Sequence, residues 1–489
     1  MKLTSALAKV AVLVLAPCLC FAQSSDEPLK LGSVRVQGSV RTRLEGWNWF
    51  TTPGDETAYA FPGTLIRLSF SQQRDEFDWN FEIGAPVLLG LPNDAVAPAP
   101  QGQLGFGGTY FASNHNSRNA VMAFPMQAFV RFKNLEGREG QSLQVGRFEF
   151  LDGDEISPRN ATLAEVKKDR IAQRLIANFG FSDVQRSFDG FHYVYSTPKT
   201  NFTIVSAIPT RGVFQTDGWG WLHTGFIYTS LTGELWPQQE TAGEWRVFAI
   251  YYDDWRHVLK TDNRSAAACQ KDMGNIRLGT FGGHYLQALE SAAGTLDFLA
   301  WGAVQTGSWG ALADQAGVFA AEAGMQPKVA KAIRPWLRAG YLYGSGDGNP
   351  SDNKHGTFFQ LLPTPRPYAR FPFFNFMNNE DGFAELLLRP ISTVTIRSDI
   401  HTLRLTSSND LWYSGGGAFQ PWTFGYTGRP SGGARSLATL YDTSVDLQVS
   451  SRASLGLYYG YADGKSVIQH IYPHGPDGQF GFLEVTYRF

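Results

Sequence analysis

Between Val34 and Glu45 apolar and polar residues alternate without a break. Val34, Val36, Gly38, Val40, Thr42 and Leu44 share one parity; Arg35, Gln37, Ser39, Arg41, Arg43 and Glu45 share the other. Successive side chains of a β-strand point to opposite faces, so such a strand has one apolar side and one charged side. Soluble strands usually end after about five or six residues. A run of 12 exceeds that length and suits the roughly 9–11 residues with which a tilted strand crosses a bilayer.

The alternation recurs at Ile66–Ser71, Trp79–Ile83, Gln127–Lys133, Trp336–Tyr343, Val394–His401 and Tyr441–Val449, which makes seven segments. Apolar toward lipid and polar toward a wet lumen is the pattern of a transmembrane barrel. Weaker strands are expected near 143–150, 187–195, 201–208, 223–232, 244–252, 277–289, 296–306, 314–325, 382–388, 454–461 and 478–489. The total is eighteen. Ala320, Ala321, Glu322 and Ala323 also suit a helical turn, but an even count requires a strand at 314–325. Connections alternate between short (72–76, 135–141, 196–200, 291–295, 389–391, 450–452) and long (86–123, 151–186, 253–275, 344–381, 406–436). The fold expected is therefore all-β, a transmembrane antiparallel β-barrel of 18 strands with short periplasmic turns and long extracellular loops.

Both ends of the chain agree. Lys2 and Lys9, the apolar run Val10–Ala16 and Cys20-Phe21-Ala22 before Gln23 form the pattern of a signal peptide over 1–22, leaving 23–489 as a single barrel domain. The last strand places Leu483, Val485, Tyr487 and Phe489 on one face. A terminal Phe with an aromatic two residues back resembles the signal read by the outer-membrane barrel assembly machinery. The outer membrane of a Gram-negative-type bacterium is the compartment implied, with its lipid as a partner. No stretch beyond the first 25 residues approaches the ~18 apolar residues of a membrane-spanning helix. With 42 Lys and Arg against 44 Asp and Glu, the charge gives no reason to expect a nucleic-acid partner.

Motifs that carry chemistry elsewhere are incomplete here. Gly460–Ser466 is one residue short of a phosphate loop. The Asp347–Asn353 segment lacks the closing glutamate of an EF-hand, and a turn cluster explains it; Asp152-Gly153-Asp154-Glu155 reads as a solvated loop. After Gln23 the only cysteine is Cys269, and no Cys/His spacing suits zinc. None of the nine histidines has a specific serine or carboxylate neighbour. No catalytic residue, metal or cofactor is expected. A barrel-embedded hydrolase and a loop-presenting structural or adhesive barrel are the alternatives to a channel.

Four segments in order resemble the alginate export family of outer-membrane barrels. They are Leu143–Phe150 with Gly153-Asp154; Gln185–Phe191, with Arg186 and an aromatic-Asp189-Gly; Tyr343–Gly348 running on to Phe358 and Leu361-Leu362-Pro363; and Leu403, Leu405, Asp410, Trp412 and Tyr413. The resemblance implies an eighteen-stranded porin-like channel; where members carry alginate, arginines lining a narrow pore attract its carboxylates. Two departures stand out. Arg147 shares the parity of Val145, so either a bulge after Gly146 turns it inward or it lies beyond the bilayer. The run Phe358, Phe359, Tyr368, Phe371, Phe373, Phe374 and Phe376 either stacks on sugar rings or packs as a loop core, and we favour the core.

The inward parity carries Arg41, Arg43, Arg67, Arg131 and Lys133 on the first four strands, and Glu385, Asp399, Asp442 and Asp446 on the fourteenth to sixteenth. Two separated arcs of opposite sign set a field across a lumen with low-dielectric walls. Of the 40 basic residues after the signal 29 are Arg, whose planar fork suits carboxylates. The residues expected to line the pore are Arg41, Arg43, Arg67, Arg131, Lys133, Arg147, Arg186, Asp189, Arg338, Arg397 and Asp399. The function expected is passive passage of polar or anionic solutes, an acidic oligo- or polysaccharide such as alginate among them.

Overall fold

The computed structural model describes residues 29–489 apart from 237–240, 415–416 and 418–419; the expected signal peptide lies outside the described residues. Eighteen strands form the wall. The first nine are β1 (Val34–Asn48), β2 (Ala58–Gln73), β3 (Phe77–Leu88), β4 (Phe124–Lys133), β5 (Gln141–Phe148), β6 (Phe188–Ser196), β7 (Thr200–Pro209), β8 (Thr224–Leu235) and β9 (Thr241–Asp254). The second nine are β10 (Ile276–Glu290), β11 (Gly294–Trp309), β12 (Leu312–Pro327), β13 (Trp336–Gly344), β14 (Glu380–Leu388), β15 (Val394–Arg404), β16 (Ser436–Gln448), β17 (Ala453–Gly464) and β18 (Asp477–Arg488). Each pairs antiparallel with the next, and β18 pairs with β1 from Ser39↔Arg488 to Asn48↔Gln479. The sheet closes on itself and leaves no edge.

Residues 314–325 are strand throughout. β11 and β12 extend further than the alternation indicates and meet in a turn of Gly310 and Ala311, on the rim where the other connections are longer. Gly310 has φ +61°, the left-handed conformation that so tight a turn demands. At the seam, Gly38 and Phe489 exchange backbone hydrogen bonds of 2.9 and 3.0 Å. The Phe489 ring lies over Gly38 so closely that no Cβ fits there.

The outward parity carries a belt of exposed large apolar residues, among them Phe81, Val130, Val247, Phe281, Val304, Phe319, Leu337, Tyr441 and Leu457. A belt of this extent marks a lipid-facing wall. Inside, two long loops fold back into the barrel: residues 149–187, which carry a helix at Ala161–Arg170, and residues 345–379. They pair with each other through Leu362 N–H to Leu175 O (2.7 Å) and Ala177 N–H to Leu362 O (2.8 Å). Phe358, Phe359, Tyr368, Phe371, Phe373, Phe374 and Phe376 are all buried, so this run is a loop core. Phe371 stacks on Trp49 (centroids 5.8 Å, 8°), and Trp47 of β1 stacks on Phe480 of β18 (3.9 Å, 15°). The extracellular half of the lumen is thus packed like a protein interior.

The register makes a direct prediction. Val40→Arg, on the lipid side of mid-β1, should cost about 2–4 kcal/mol in reversible folding from detergent or lipid, while Ser39→Arg, on the lumen side, should cost much less. Equal costs at the two positions contradict the register.

Candidate functional site

The loop 149–187 is held in the lumen by charge. Its helix α1 (Ala161–Arg170) starts at Asn160, whose Oδ1 accepts the Leu163 N–H at 3.1 Å, a side-chain N-cap. From this helix and the residues after it, cations reach carboxylates on the wall. Lys167 Nζ lies 2.9 Å from Glu244 of β9. Arg170 Nε (2.8 Å) and Arg174 Nη2 (3.1 Å) both reach Glu322 of β12. In the other direction, wall arginines grip the loop: Arg397 of β15 meets Asp169 at 2.6 Å, Arg389 meets Glu165, and Arg246 of β9 lies 3.6 Å from both Asp152 and Glu155. Arg41 Nη1 donates to Gly180 O (2.7 Å) and Arg43 Nη1 to Phe181 O (2.7 Å), with the Arg43 guanidinium 4.2 Å above the Phe181 ring. An isolated charge cannot be buried at acceptable cost, and here each wall charge in the contact is matched by a loop group.

Two loop groups show the strength of this burial. Burial pushes the Asp152 carboxyl up to about 6, against the pull of Arg246 and the amides of Ile176 and Leu175. Arg186 is fully buried, and among the described residues its hydrogen-bond acceptors are all carbonyls, Ala177 O (2.8 Å), Pro363 O (3.1 Å) and Gly417 O (3.3 Å); burial shifts its pKa downward. It ties three loops together. Asp410 does similar work: its carboxylate accepts from Asp347 N (2.9 Å), Thr357 Oγ1 (2.5 Å) and the Tyr413 hydroxyl (2.7 Å).

Beneath the packed loops lies an open chamber of about 870 Å³. Its lining carries eight basic side chains (Arg41, Arg43, Lys167, Lys168, Arg366, Arg370, Arg389, Arg397) against five acidic ones (Asp154, Glu165, Asp169, Asp446, Glu484). Lys168 is exposed to it and makes no ion pair among the described residues. Arg370 reaches Asp446 only at 4.0 Å and rests over the Tyr458 and Phe482 rings. A second chamber of about 490 Å³, against β1, β2 and β18, shares Arg41 and Glu484 with the first.

The residues singled out from the sequence do not share one site. Arg41, Arg43 and Arg397 border the large chamber, and Arg67 the smaller one, where it meets Glu82 (2.5 Å) and Glu149 (3.0 Å). Arg131 and Lys133 share Asp78 at 2.5 and 2.9 Å, near the short-turn rim. Arg338 is buried behind the loops on Asp297 (2.5 Å) and Glu322 (3.5 Å), and Asp399 borders a narrow recess behind Pro367–Arg370. Arg397 pairs with Asp169 and Glu385 (3.5 Å), not with Asp399.

Three expectations require correction. Arg186 is part of the loop core and not of the barrel wall. Arg147 and Asp189 lie on the outward parity with Val145 and Phe191, because the β5–β6 register runs without a shift. They form a bidentate pair of 2.7 Å per arm, which Trp221 Nε1 joins at 2.7 Å to Asp189 Oδ2, so they do not face the lumen. Lys168, Arg370 and the clamp residues Lys167, Arg170, Arg174, Glu244 and Glu322 were not indicated as a site. Asn160 ahead of Leu163 and Val166 at helical spacing is the signal present for the helix, which carries Lys167, Lys168 and Arg170.

A closed antiparallel barrel with a lipid-facing belt, inward loops and a charged aqueous chamber defines a porin-like protein of the outer membrane. A family model described as alginate export matches residues 106–464, and the chain belongs to that family. No curated protein matches the sequence. Among solved structures it is similar to OccAB2 of Acinetobacter baumannii (10% identity, 94% of this chain and 99% of that one covered, TM-score 0.59). It is also similar to the outer-membrane protein OpdK of Pseudomonas aeruginosa (9%, 93% and 98%, TM-score 0.55). A third is OccK2 (OpdF) of Pseudomonas aeruginosa in complex with glucuronate (7%, 93% and 96%, TM-score 0.56).

The clamp predicts the effect of losing its central carboxylate. Glu322→Gln leaves Arg170 and Arg174 buried without their anion, a change of about 3–5 kcal/mol against the loop's seated position. Single-channel recordings should show larger and noisier currents, with the heat-modifiable barrel still formed. Native-like traces would remove Glu322 from the clamp.

Proposed function

We propose that this protein conducts small carboxylate-bearing solutes of the size of one sugar acid across the outer membrane. The observation that carries the proposal is the chamber below the loops, with eight cations against five anions and with Lys168 and Arg370 left weakly neutralised. Its volume of about 870 Å³ lies in the range of small-molecule sites, roughly 300–1,000 Å³. The walls are low in dielectric, so the excess positive charge raises the local concentration of anions and lowers that of cations. OccK2 in complex with glucuronate and OpdK with vanillate, each a carboxylate in a similar barrel, agree with this reading.

The family's description points to alginate, a polymer of uronic acids. Passage of a polymer requires the loops 149–187 and 345–379 to leave the lumen, whereas a single uronate fits the chamber as it stands. The small acid is therefore the reading favoured here. We read the chain as a channel and assign it no catalytic residue. In the same spirit, the terminal Phe489, held to Gly38 at the closing seam, is the group we expect the barrel assembly machinery to recognise.

The test is electrical. Replacing Lys168 and Arg370 together by Gln removes two weakly neutralised cations of the chamber that water reaches. In a salt gradient the reversal potential should move toward cation preference, and block by added glucuronate should weaken. The difference should fade at about 1 M salt, where the screening length is about 3 Å. A reversal potential unchanged at low salt would contradict the proposal.

A further inference from the structure

A further cavity, of about 460 Å³, opens on the extracellular rim where three loops meet: 89–123, 210–223 and 405–435. It is separate in residues and in chemistry from the chambers of the lumen. Trp422 forms part of its lining with 46% of its surface exposed, and the His115 ring stands 5.7 Å from the indole at 31°. The same lining includes the Arg211–Asp217 pair, 2.9 Å apart and about 30% exposed on each side, and Gln215. Gln215 is only 3% exposed, yet its Oε1 has no hydrogen-bond partner among the described residues; the same is true of Arg211 Nε. A buried amide oxygen left without a protein donor is costly, and an ordered water or a ligand hydroxyl reaching it from the cavity supplies the missing bond.

The wall behind Gln215 is held by hydrogen bonds. Asn114 uses its whole side chain to fix the site: Nδ2 donates to Tyr110 O (2.8 Å) and Phe214 O (2.9 Å), and Oδ1 accepts from Thr216 N (2.9 Å) and Oγ1 (2.8 Å). Two loops are thereby locked to each other behind Gln215. A preformed concave site with one aromatic platform and a few convergent planar polar groups is the form a ligand site takes.

The chemistry selects the ligand class. An exposed indole accepts the axial C–H face of a pyranose ring, which is apolar, through the ring's negative quadrupole. Amide, carboxylate and guanidinium groups take the equatorial hydroxyls, each of which donates and accepts. The lining carries Arg211 and Asp217 as a matched pair, which favours neutral sugar over a polyanion. We propose that this extracellular pocket binds a neutral hexopyranose ring, with Trp422 as the platform and Gln215 as the hydroxyl acceptor. Such a ring reaches the site either free in solution or as part of the lipopolysaccharide in the same leaflet. Val121 and Met122, exposed at the pocket's edge, put it within reach of both.

The experiment uses the full barrel in a detergent without a sugar headgroup. Methyl glucoside, methyl galactoside, methyl mannoside and purified lipopolysaccharide are titrated while ligand-to-protein saturation transfer and tryptophan fluorescence are recorded. At least one probe should bind saturably. Trp422→Ala and, separately, Gln215→Met should each weaken it by about tenfold or more, with heat-modifiable mobility and single-channel conductance unchanged. Binding of a methyl glycoside identifies sugars in solution as a source; binding of lipopolysaccharide alone identifies the membrane's own glycolipid. Absence of saturable binding for all four probes, or binding that both variants retain at full strength, would overturn the proposal.

Discussion

The structure depends on how buried charge is matched inside the barrel. Glu244 and Glu322 point inward from β9 and β12 at positions the loop 149–187 seals from water. Without Lys167, Arg170 and Arg174, Glu244 would be left with His284 (2.8 Å) and Glu322 with the more distant Arg338 (3.5 Å), a poor match for anions in a dry interior. The converse holds for the loop, whose cations have no other carboxylates so well placed. Loop and wall therefore specify each other. The helix sits where its charges are matched, and the space it leaves below becomes the cationic chamber.

This arrangement also explains which parts of the fold were legible in the sequence. Strands β1 to β4 and β13 to β16 alternate cleanly because much of their inward face meets water or charge. β8 to β12 do not. Their inward positions include Phe226, Tyr228, Phe248, Ile250, Leu278, Leu286 and Trp301, all buried against the loops. With both faces apolar, the period-2 signal fades, and Ala320–Ala323 came to resemble a helix. The strand parity argument still reached the right count because closure demands an even number with both termini on one rim.

The site was less legible for a related reason. Parity locates the inward arginines, but not the loop groups that hold several of them, such as Gly180 for Arg41 and Asp169 for Arg397, which lie 139 and 228 residues away in sequence. Arg41 and Arg43 are expected from parity to set part of a field across the lumen, and in the structure they also hold the loop, bonded to residues 180–183. Conversely Lys168, which remains open to the chamber, sits on a helix inside a stretch that reads as loop. Arg147 and Asp189 illustrate the opposite case: the motif was visible, and the unshifted register turns it to the outside, where it pairs beneath Trp219 and Trp221. Motif identity carried over to this chain, while its orientation depended on local register.

The central claim is that the space under the loop helix is aqueous, cationic and on the conduction path. Ala164 lines that space and stands one helical turn from Lys168, on the same face. The most direct measurement is the reaction of Ala164→Cys, in a protein with the buried Cys269 replaced by Ser, with thiosulfonate reagents of either charge during single-channel recording. The account predicts that the anionic reagent reacts faster, after correction for intrinsic reactivity, and that its attachment reduces the current. Faster reaction with the cationic reagent, or modification that leaves the current unchanged, would contradict it.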